Sequence, residues 1–469
     1  MNQSSTDRII AELERWIAQA APGSRLPGSR QLAESFGAGP VTVQRAMHAL
    51  AARGLIESRP GVGTFVRRRD AARTPDYGWQ TGALGALPTP ALPVPETQRE
   101  AAPGTIEMHS GYPCAELLPA ALVRAATARA ARSPHALHRA PAAGLPELQA
   151  WFATELSGSG PAPHAPREAI IVPGTQSALG SIFRALVGRG RPMVIESPSY
   201  WGALRSAAQQ GVTLVPIATT PGGPDPQELD RALRESGARV FYAQPTFANP
   251  LGGSWHPDRA GEILTVLRAH DAFLIEDDWA RDFAIDTRLE QAPGPLGHDD
   301  PDGRIVTLRS LTKSLSPALR VGALIARGPA RDRLLADRVA DTMYVSPLLQ
   351  ATALDAVTSP GWRAHRAALP ERLRHRRDLL LDSLAQYSPE VRVDTVPQGG
   401  LSVWARLPAG SDPNEVARQC AARGLALASG DAWFPAEPST PALRLTFCGP
   451  EPERFPEAAQ ILAGVLSGN

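Results

Sequence analysis

Lys313 is the single lysine in a 469-residue chain whose Lys and Arg together number 48. Arginine serves wherever a fixed positive charge is enough, but a guanidinium stays protonated and cannot attack a carbonyl. A lysine amine can lose its proton in a suitable pocket and condense with an aldehyde to form a Schiff base. Counting alone leaves two readings open: a lysine kept for chemistry, or a surface lysine left behind by an arginine-biased composition.

The neighbouring residues separate them. In SLTKSLSPALR, Ser310 lies three residues before Lys313 and Arg320 seven after, so both can hold a dianionic phosphate beside the amine. Pro173-Gly174-Thr175-Gln176 follows the apolar run AIIV and opens the apolar segment SALGSIFRAL. Unpaired amides at a helix start, with the Thr175 hydroxyl, make a second half of a phosphate cradle. Asp277 falls at the end of AFLIEDD, where a buried carboxylate can pair with a protonated ring nitrogen. Asn249 in PTFANPLGG offers an amide to a phenolic oxygen, and Tyr200 in ESPSYWG a plate for a flat ring. Taken singly, each has a structural alternative: Asp277 or Asp278 as a helix cap, Asn249 before Pro250 as a turn residue, Tyr200 as core, Arg320 or Arg444 as half of a surface ion pair. Taken together, lysine, phosphate cradle, carboxylate, amide and aromatic plate are what pyridoxal 5′-phosphate requires.

Positioning such a set calls for a layered fold. From about Thr105 short apolar runs (AIIVPG, PMVIESPS, VTLVPI, RVFYAQPT, AFLIEDD, RIVTLRS) alternate with longer helical segments. That alternation predicts a mostly parallel sheet covered by helices on both faces, with ligands at the carboxyl ends of the strands. In this order, over roughly residues 105–469, the motifs resemble the fold-type I, aspartate-aminotransferase-like enzymes. The resemblance implies Lys313 as the lysine of an internal aldimine and Asp277 as the partner of the pyridine nitrogen. It likewise implies Asn249 on the ring oxygen, Tyr200 stacked on the ring, and Ser310, Arg320, Thr175 and Gln176 on the phosphate. Arg444, in the strand-like ALRLTF, matches the arginine that grips a substrate or effector carboxylate, which a guanidinium does bidentately. Two positions depart from the family. Trp279 stands where many relatives have a tyrosine, and indole offers only an N–H. Arg139, in LHRAPAAGLPEL, replaces a tyrosine that reaches the phosphate of the partner subunit; arginine there can still bind phosphate. Both departures argue against efficient turnover and leave at most partial transamination or racemisation-type half-reactions.

The N-terminal segment is different in kind. Residues 1–73 carry eleven arginines against six acids, although the whole chain has a net charge of only +1. In DRIIAELERWIAQA, Ile9, Ile10, Leu13, Ile17 and Ala20 share one helical face. Ser29 can cap a second helix that carries Leu32 and Phe36 and stops at Gly37. After the turn Gly37-Ala38-Gly39, a third helix over 41–53 turns Val43, Ala46, Met47 and Leu50 inward and Thr42, Gln44, Arg45 and His48 outward. In a helix-turn-helix this is the helix that enters the major groove. Gly54 stops it, and LIESRPGVGTFVRRR reads as two short strands around a glycine-rich turn, a wing with a basic tip. The segment resembles the GntR family of bacterial regulators at Leu26, Pro27, Ser29, Arg30, Leu32, Thr42, Val43, Gly54, Gly61, Gly63, Thr64, Phe65 and Val66. It departs at Gly39-Pro40, where the family usually has Ser-Arg; a proline is tolerated in a first helical turn. Arg30, Arg45, Arg59 and Arg67 remain as phosphate or base contacts, with Thr42, Gln44, Gly61 and Gly63 on the same surface. The alternative is a small helical domain with a solvated basic face.

Between the two, residues 70–104 contain Pro75, Pro88, Pro90, Pro93, Pro95 and Pro103 and no sustained apolar period. They read as a linker that spans on the order of 100 Å when extended, so the domains need not touch. The division is therefore a DNA-binding winged helix-turn-helix over 1–69, a linker over 70–104 and an α/β domain over 105–469. That combination resembles the MocR family of transcriptional regulators. It implies a homodimer on a double-stranded DNA operator, binding pyridoxal phosphate and sensing it or an amino compound by aldimine exchange at Lys313. The second reading is a working aminotransferase with a DNA-binding appendage, separable by repeated turnover. Cys114, Cys420 and Cys448 lack disulfide or zinc spacing and read as small buried thiols, so no metal is expected. No apolar run is long enough for a membrane span and Met1 to Asp7 is polar, so a cytoplasmic protein is expected.

Overall fold

The computed structural model describes residues 5–67, 77–85, 94–157, 163–286 and 294–468. The chain divides into two compact units, Met1–Pro88 and Thr89–Asn469.

In the first unit, α1 (Ser5–Gln19), α2 (Ser29–Phe36) and α3 (Pro40–Ala52) pack with the antiparallel hairpin β1 (Ile56–Arg59) and β2 (Gly63–Val66). Ile9, Leu13, Leu32, Val43, Ala46, Leu50, Ile56 and Val66 form its core, which is the face expected from helical spacing. Three local details differ from expectation. Gly28, in extended backbone, is the N-cap of α2, and Ser29 is its first residue with no capping bond; glycine caps almost as well as serine. The third helix starts at Pro40 with Gly39 as N-cap, and Arg53 is its C-cap. The wing tip is Pro60-Gly61-Val62 and not the arginine triplet, because the reversal needs the positive φ of Gly61 (73°) and Gly63 (141°). Arg59 flanks that tip and Arg67 follows β2, while Arg68 and Arg69 lie outside the described residues. Of the expected linker, residues 78–84 form the short helix α4 (Gly78–Leu84).

Packing of the second unit reaches back into the expected linker, to Glu96 and Thr97. Thr97 is buried, the Glu96 carboxylate accepts the Ser429 amide at 2.9 Å, and the Arg99 carbonyl meets His109 Nε2 at 3.0 Å. Among the described residues its main sheet has eight strands: β3 (Ala169–Val172), β4 (Pro192–Ser197), β5 (Thr213–Thr220), β6 (Gly223–Pro224), β7 (Val240–Ala243), β8 (Phe273–Asp278), β9 (Ile305–Ser310) and β10 (Gly322–Ile325). They run in the order β3-β10-β9-β8-β7-β4-β5-β6. The stretch β9-β8-β7-β4-β5 is parallel, and β10 inserts antiparallel to both β3 and β9. All six apolar runs picked out above are strands here. A second layer near the C-terminus pairs β11 (Ser402–Arg406) and β12 (Ala428–Ser429) with β13 (Ala442–Thr446) against helices Pro360–Tyr387 and Phe455–Leu466. Cys420 and Cys448 are buried and Cys114 is half-buried, all as free thiols. No helix among the described residues is long and apolar enough to cross a membrane.

Candidate functional site

Parallel register delivers the site. Asp277 on β8 sits opposite Leu308 on β9, so the carboxyl ends of the two strands bring Asp277 and Ser310 to the same edge, and Lys313 follows three residues on. Thr175 opens a helix, Thr175–Ile182, directly after β3, with Gly174 as its N-cap. One pocket is lined by Lys313, Asp277, Asn249, Tyr200, Thr175, Gln176, Ser310 and Arg320 together with Tyr112, Gln244, Trp279 and Thr312. Only about 40 Å³ of it is open, so a ring-sized ligand enters with movement of the side chains around it.

Asp277 is held from one side. Its Oδ2 accepts the Tyr242 hydroxyl at 2.8 Å and Gln244 Nε2 at 2.9 Å, while its buried Oδ1 has no hydrogen-bond partner. Burial pushes its pKa up, against those two donors and the nearby Lys313. Gln244 Oε1 also accepts the Asn249 amide at 2.9 Å, so one side chain fixes both residues. Asn249 Oδ1 is already engaged by Trp433 Nε1 at 3.2 Å and Arg444 Nε at 3.0 Å, which leaves the Asn249 side-chain NH₂ as the donor it can offer.

Lys313 Nζ lies 4.1 Å from the centroid of the Trp279 ring. Burial, and then the positive charge of Arg444, lower its pKa to about 8, with Asp277 opposing. Trp279 is itself buried and its Nε1 has no partner. Arg444 is fully buried behind Asn249 and does not line the pocket; Nη1 donates to the Ser110 carbonyl at 3.3 Å and Nη2 has no partner. Burial lowers its pKa to about 10.

At the end of the pocket where the sequence places a phosphate cradle, Arg320 lies across the Gly174 turn, with Nη2 3.4 Å from the Pro173 carbonyl. A Cβ on Gly174 would stand 2.7 Å from that Nη2. Arg320 has φ 51°, a conformation that costs a non-glycine residue about 1–2 kcal/mol. Gln176 turns its Nε2 onto Gly202 O and Ser206 Oγ, both at 2.9 Å, and leaves Oε1 unpartnered. The Ser310 hydroxyl accepts the Thr312 amide at 3.1 Å, and Thr312 Oγ1 is buried without a partner. Arg139 is exposed and does not line the pocket.

In the first unit Gln44, Arg45 and His48 are exposed on one side of the third helix, and Thr42 is half-buried. Arg67 and Gly61 are exposed and Gly63 is half-buried. Arg30 is exposed, 3.9 Å from Glu34. Arg59 pairs with Glu57 and lies 5.0 Å from the Phe65 ring centroid. Sequence reasoning missed Tyr242, Gln244, Thr312, Tyr112 and Trp433 in the second unit.

Comparison with known proteins agrees with both halves of this reading. Residues 104–462 match the family model "Aminotransferase class I and II", and residues 5–66 match "Bacterial regulatory proteins, gntR family". The probable rhizopine catabolism regulatory protein MocR of Rhizobium meliloti is 30% identical, over 78% of this chain and 73% of that protein. The HTH-type transcriptional regulator YdfD of Bacillus subtilis is 28% identical, over 82% and 80%. Among solved structures, LysN, the α-aminoadipate aminotransferase of Thermus thermophilus complexed with N-(5′-phosphopyridoxyl)-L-leucine, superposes with a TM-score of 0.73 at 26% identity, over 79% of this chain and 94% of that one. The fold and the matches define a GntR-type winged helix joined to a fold-type I aminotransferase domain. The chain belongs to the MocR family of transcriptional regulators.

Proposed function

We propose that this protein is a cytoplasmic homodimeric regulator that binds double-stranded DNA through its winged helix and holds pyridoxal 5′-phosphate at Lys313. Its large unit responds to that cofactor or to an amino compound. The observation that carries the reading is the gathering of the one lysine with a half-satisfied carboxylate and a strained arginine in a single pocket.

The residues fit the group. Buried polar atoms left without partners cost about 1–3 kcal/mol each, and those here match its parts. Asp277 Oδ1 is an acceptor for a ring N–H and Thr312 Oγ1 a donor for the phosphate, beside Arg320, which also lines the pocket; Arg444 Nη2, outside the pocket lining, is a donor for an effector carboxylate and not for the cofactor. When bound, the cofactor supplies an aldehyde for amines and an electron-withdrawing ring. Lys313 is the amine that anchors it, and a pKa of about 8 keeps part of that amine neutral near physiological pH. Tyr242 and Gln244 hold Asp277 so that one oxygen faces the pocket. Tyr200 supplies the stacking face, and burial keeps its hydroxyl protonated. An effector moves the DNA-binding units only through unequal affinity for two states of the dimer. Reading the chain as a working aminotransferase is weaker, because Trp279 places an indole face, without a hydroxyl, against the Lys313 amine.

Gly202 tests the stacking arrangement. A Cβ there would lie 2.3 Å from Gln176 Oε1 and 2.4 Å from the Tyr200 ring. Gly202→Ala is expected to weaken pyridoxal phosphate binding about tenfold, or about 1.4 kcal/mol, with an unchanged circular dichroism spectrum. Equilibrium dialysis reads the affinity.

DNA binding is tested with a fragment selected from a random pool, titrated at several salt concentrations with and without pyridoxal phosphate. Arg45→Ala is expected to weaken binding and to reduce the slope of log affinity against log salt by about one. An unchanged slope would remove Arg45 from the DNA contact. A cofactor that leaves the binding curve of the unchanged protein where it was would defeat the sensor reading.

A further inference from the structure

Packing fixes which face of α3 the winged-helix unit turns outward. Val43, Ala46 and Leu50 are buried in the unit's core, so the helix cannot rotate about its axis. The positions left outward are Val41, Gln44, Arg45 and His48, at i, i+3, i+4 and i+7, and they form one stripe along the helix. Two observations set this stripe apart from an ordinary solvated face. Gln44, Arg45 and His48 form no ion pair or side-chain hydrogen bond among the described residues, whereas Arg15, Arg30, Arg53 and Arg59 of the same unit each lie against a glutamate. The helix also carries no acidic residue that would repel a phosphate backbone. Val41 heads the stripe and is 62% exposed. A lone exposed valine calls for no explanation, but this one sits in the first turn of the helix that enters the major groove, where side chains meet base edges.

We propose that this stripe selects A·T pairs, with Val41 packed on the 5-methyl group of a thymine and Gln44 hydrogen-bonded to a nearby adenine. Each base pair shows a different set of groups in the major groove. Thymine alone presents a methyl, which an apolar side chain covers; adenine N6 and N7 match a glutamine amide; guanine O6 and N7 call for arginine or lysine. Pro40, the first residue of α3, takes the position where the family usually has an arginine, and it has neither a side-chain donor nor a backbone N–H. The head of the helix therefore offers guanine no side-chain donor and offers thymine an uncovered isopropyl group. Gln44, one turn on, has its amide donor and acceptor both free for adenine N7 and N6. Arg45 beside it keeps the phosphate contact given above. This inference rests on the DNA-binding reading of the unit and adds to it the chemistry of the bases.

The test uses the full chain and a fragment selected from a random pool. Replacing one thymine at a time by deoxyuridine removes only the methyl group. At one thymine in each half-site, uracil is expected to weaken the unchanged protein about fivefold, or about 1 kcal/mol. The same replacement should leave the affinity of Val41→Ser protein where it was, because that variant has no apolar group to lose. Replacing adenines by 7-deazaadenine, which lacks the N7 acceptor, should likewise weaken the unchanged protein and not Gln44→Ala. Both variants alter exposed residues, and an unchanged melting temperature checks the fold. A uracil effect of equal size in the Val41→Ser protein reports duplex shape and not a methyl contact, and it overturns the Val41 assignment. A 7-deazaadenine effect that survives Gln44→Ala overturns the Gln44 assignment. Selected half-sites without A·T pairs overturn the preference as a whole. A chain that enriches no fragment defeats the DNA-binding reading itself, whereas one that binds its fragment equally well with thymine or uracil at every position defeats only the Val41 inference.

Discussion

Lys313→Ala protein incubated with pyridoxal phosphate, reduced with borohydride and unfolded is expected to carry no pyridoxyl group, where the unchanged chain carries one. The experiment is clean because no other side chain in the protein has a primary amine; the terminal α-amine is the sole competitor, and peptide mass mapping separates the two. Labelling that persists at Lys313-free stoichiometry would end the proposal. A pH series adds an independent check. With burial lowering the pKa to about 8 from 10.5, the rate should climb through about pH 8 and level off, where an exposed lysine continues to gain until about pH 10. The same shift fixes a sign for stability. Below about pH 8 both folded and unfolded chains hold the proton, and the fold bears the cost of a buried ammonium. Between about pH 8 and 10.5 only the unfolded chain still binds it, so this residue favours the fold increasingly as pH rises. Replacing Lys313 should therefore also abolish any change in DNA binding on adding pyridoxal phosphate, while DNA binding without it is retained.

The parts of this site legible in the sequence are those where chemistry and local pattern coincide. Asp277, Ser310 and Thr175 each follow an apolar run that is a strand, and the carboxyl end of a parallel strand is where a ligand-facing residue belongs. Tyr242 shows the opposite case. In Val-Phe-Tyr-Ala it reads as one more buried strand residue, and its hydroxyl finds Asp277 only because β7 and β8 lie side by side in parallel. Gln244 and Trp433 were equally silent, since their partners Asp277 and Asn249 are dozens of residues or more away along the chain. The strand β10 was missed because Gly-Ala-Leu-Ile is short and its neighbours β3 and β9 are distant in sequence. Near the linker, Glu96 and Thr97 lack any apolar period, so nothing local announced that the backbone there is already tied to the large unit.

Asp282→Ala is expected to destabilise the large unit by about 3–5 kcal/mol, the cost of stranding a buried charge. Asp282 and Arg309 are both fully buried and 2.7 Å apart, and Arg366 approaches the same carboxylate at 3.1 Å while reaching Glu155 at 2.9 Å. Burial alone would raise the Asp282 pKa; Arg309 and Arg366 outweigh it and hold the value down at about 2. A carboxylate depressed in the fold contributes stability that is complete above its unfolded pKa, near 4, and is lost as pH falls through about 2. The gap between unchanged and variant protein in urea unfolding should accordingly be widest above about pH 4 and shrink toward pH 2. Equal stability at neutral pH would show that water or rearrangement compensates Arg309. The location makes the consequence functional. Arg309 is the penultimate residue of β9 and its Nη1 donates to the Ser310 carbonyl at 3.1 Å, and Arg366 brings in the long helix Pro360–Tyr387. Releasing Asp282 therefore loosens the strand end that carries Ser310 and, three residues on, Lys313. Pyridoxal phosphate affinity should fall together with stability, whereas a distant surface substitution would move neither.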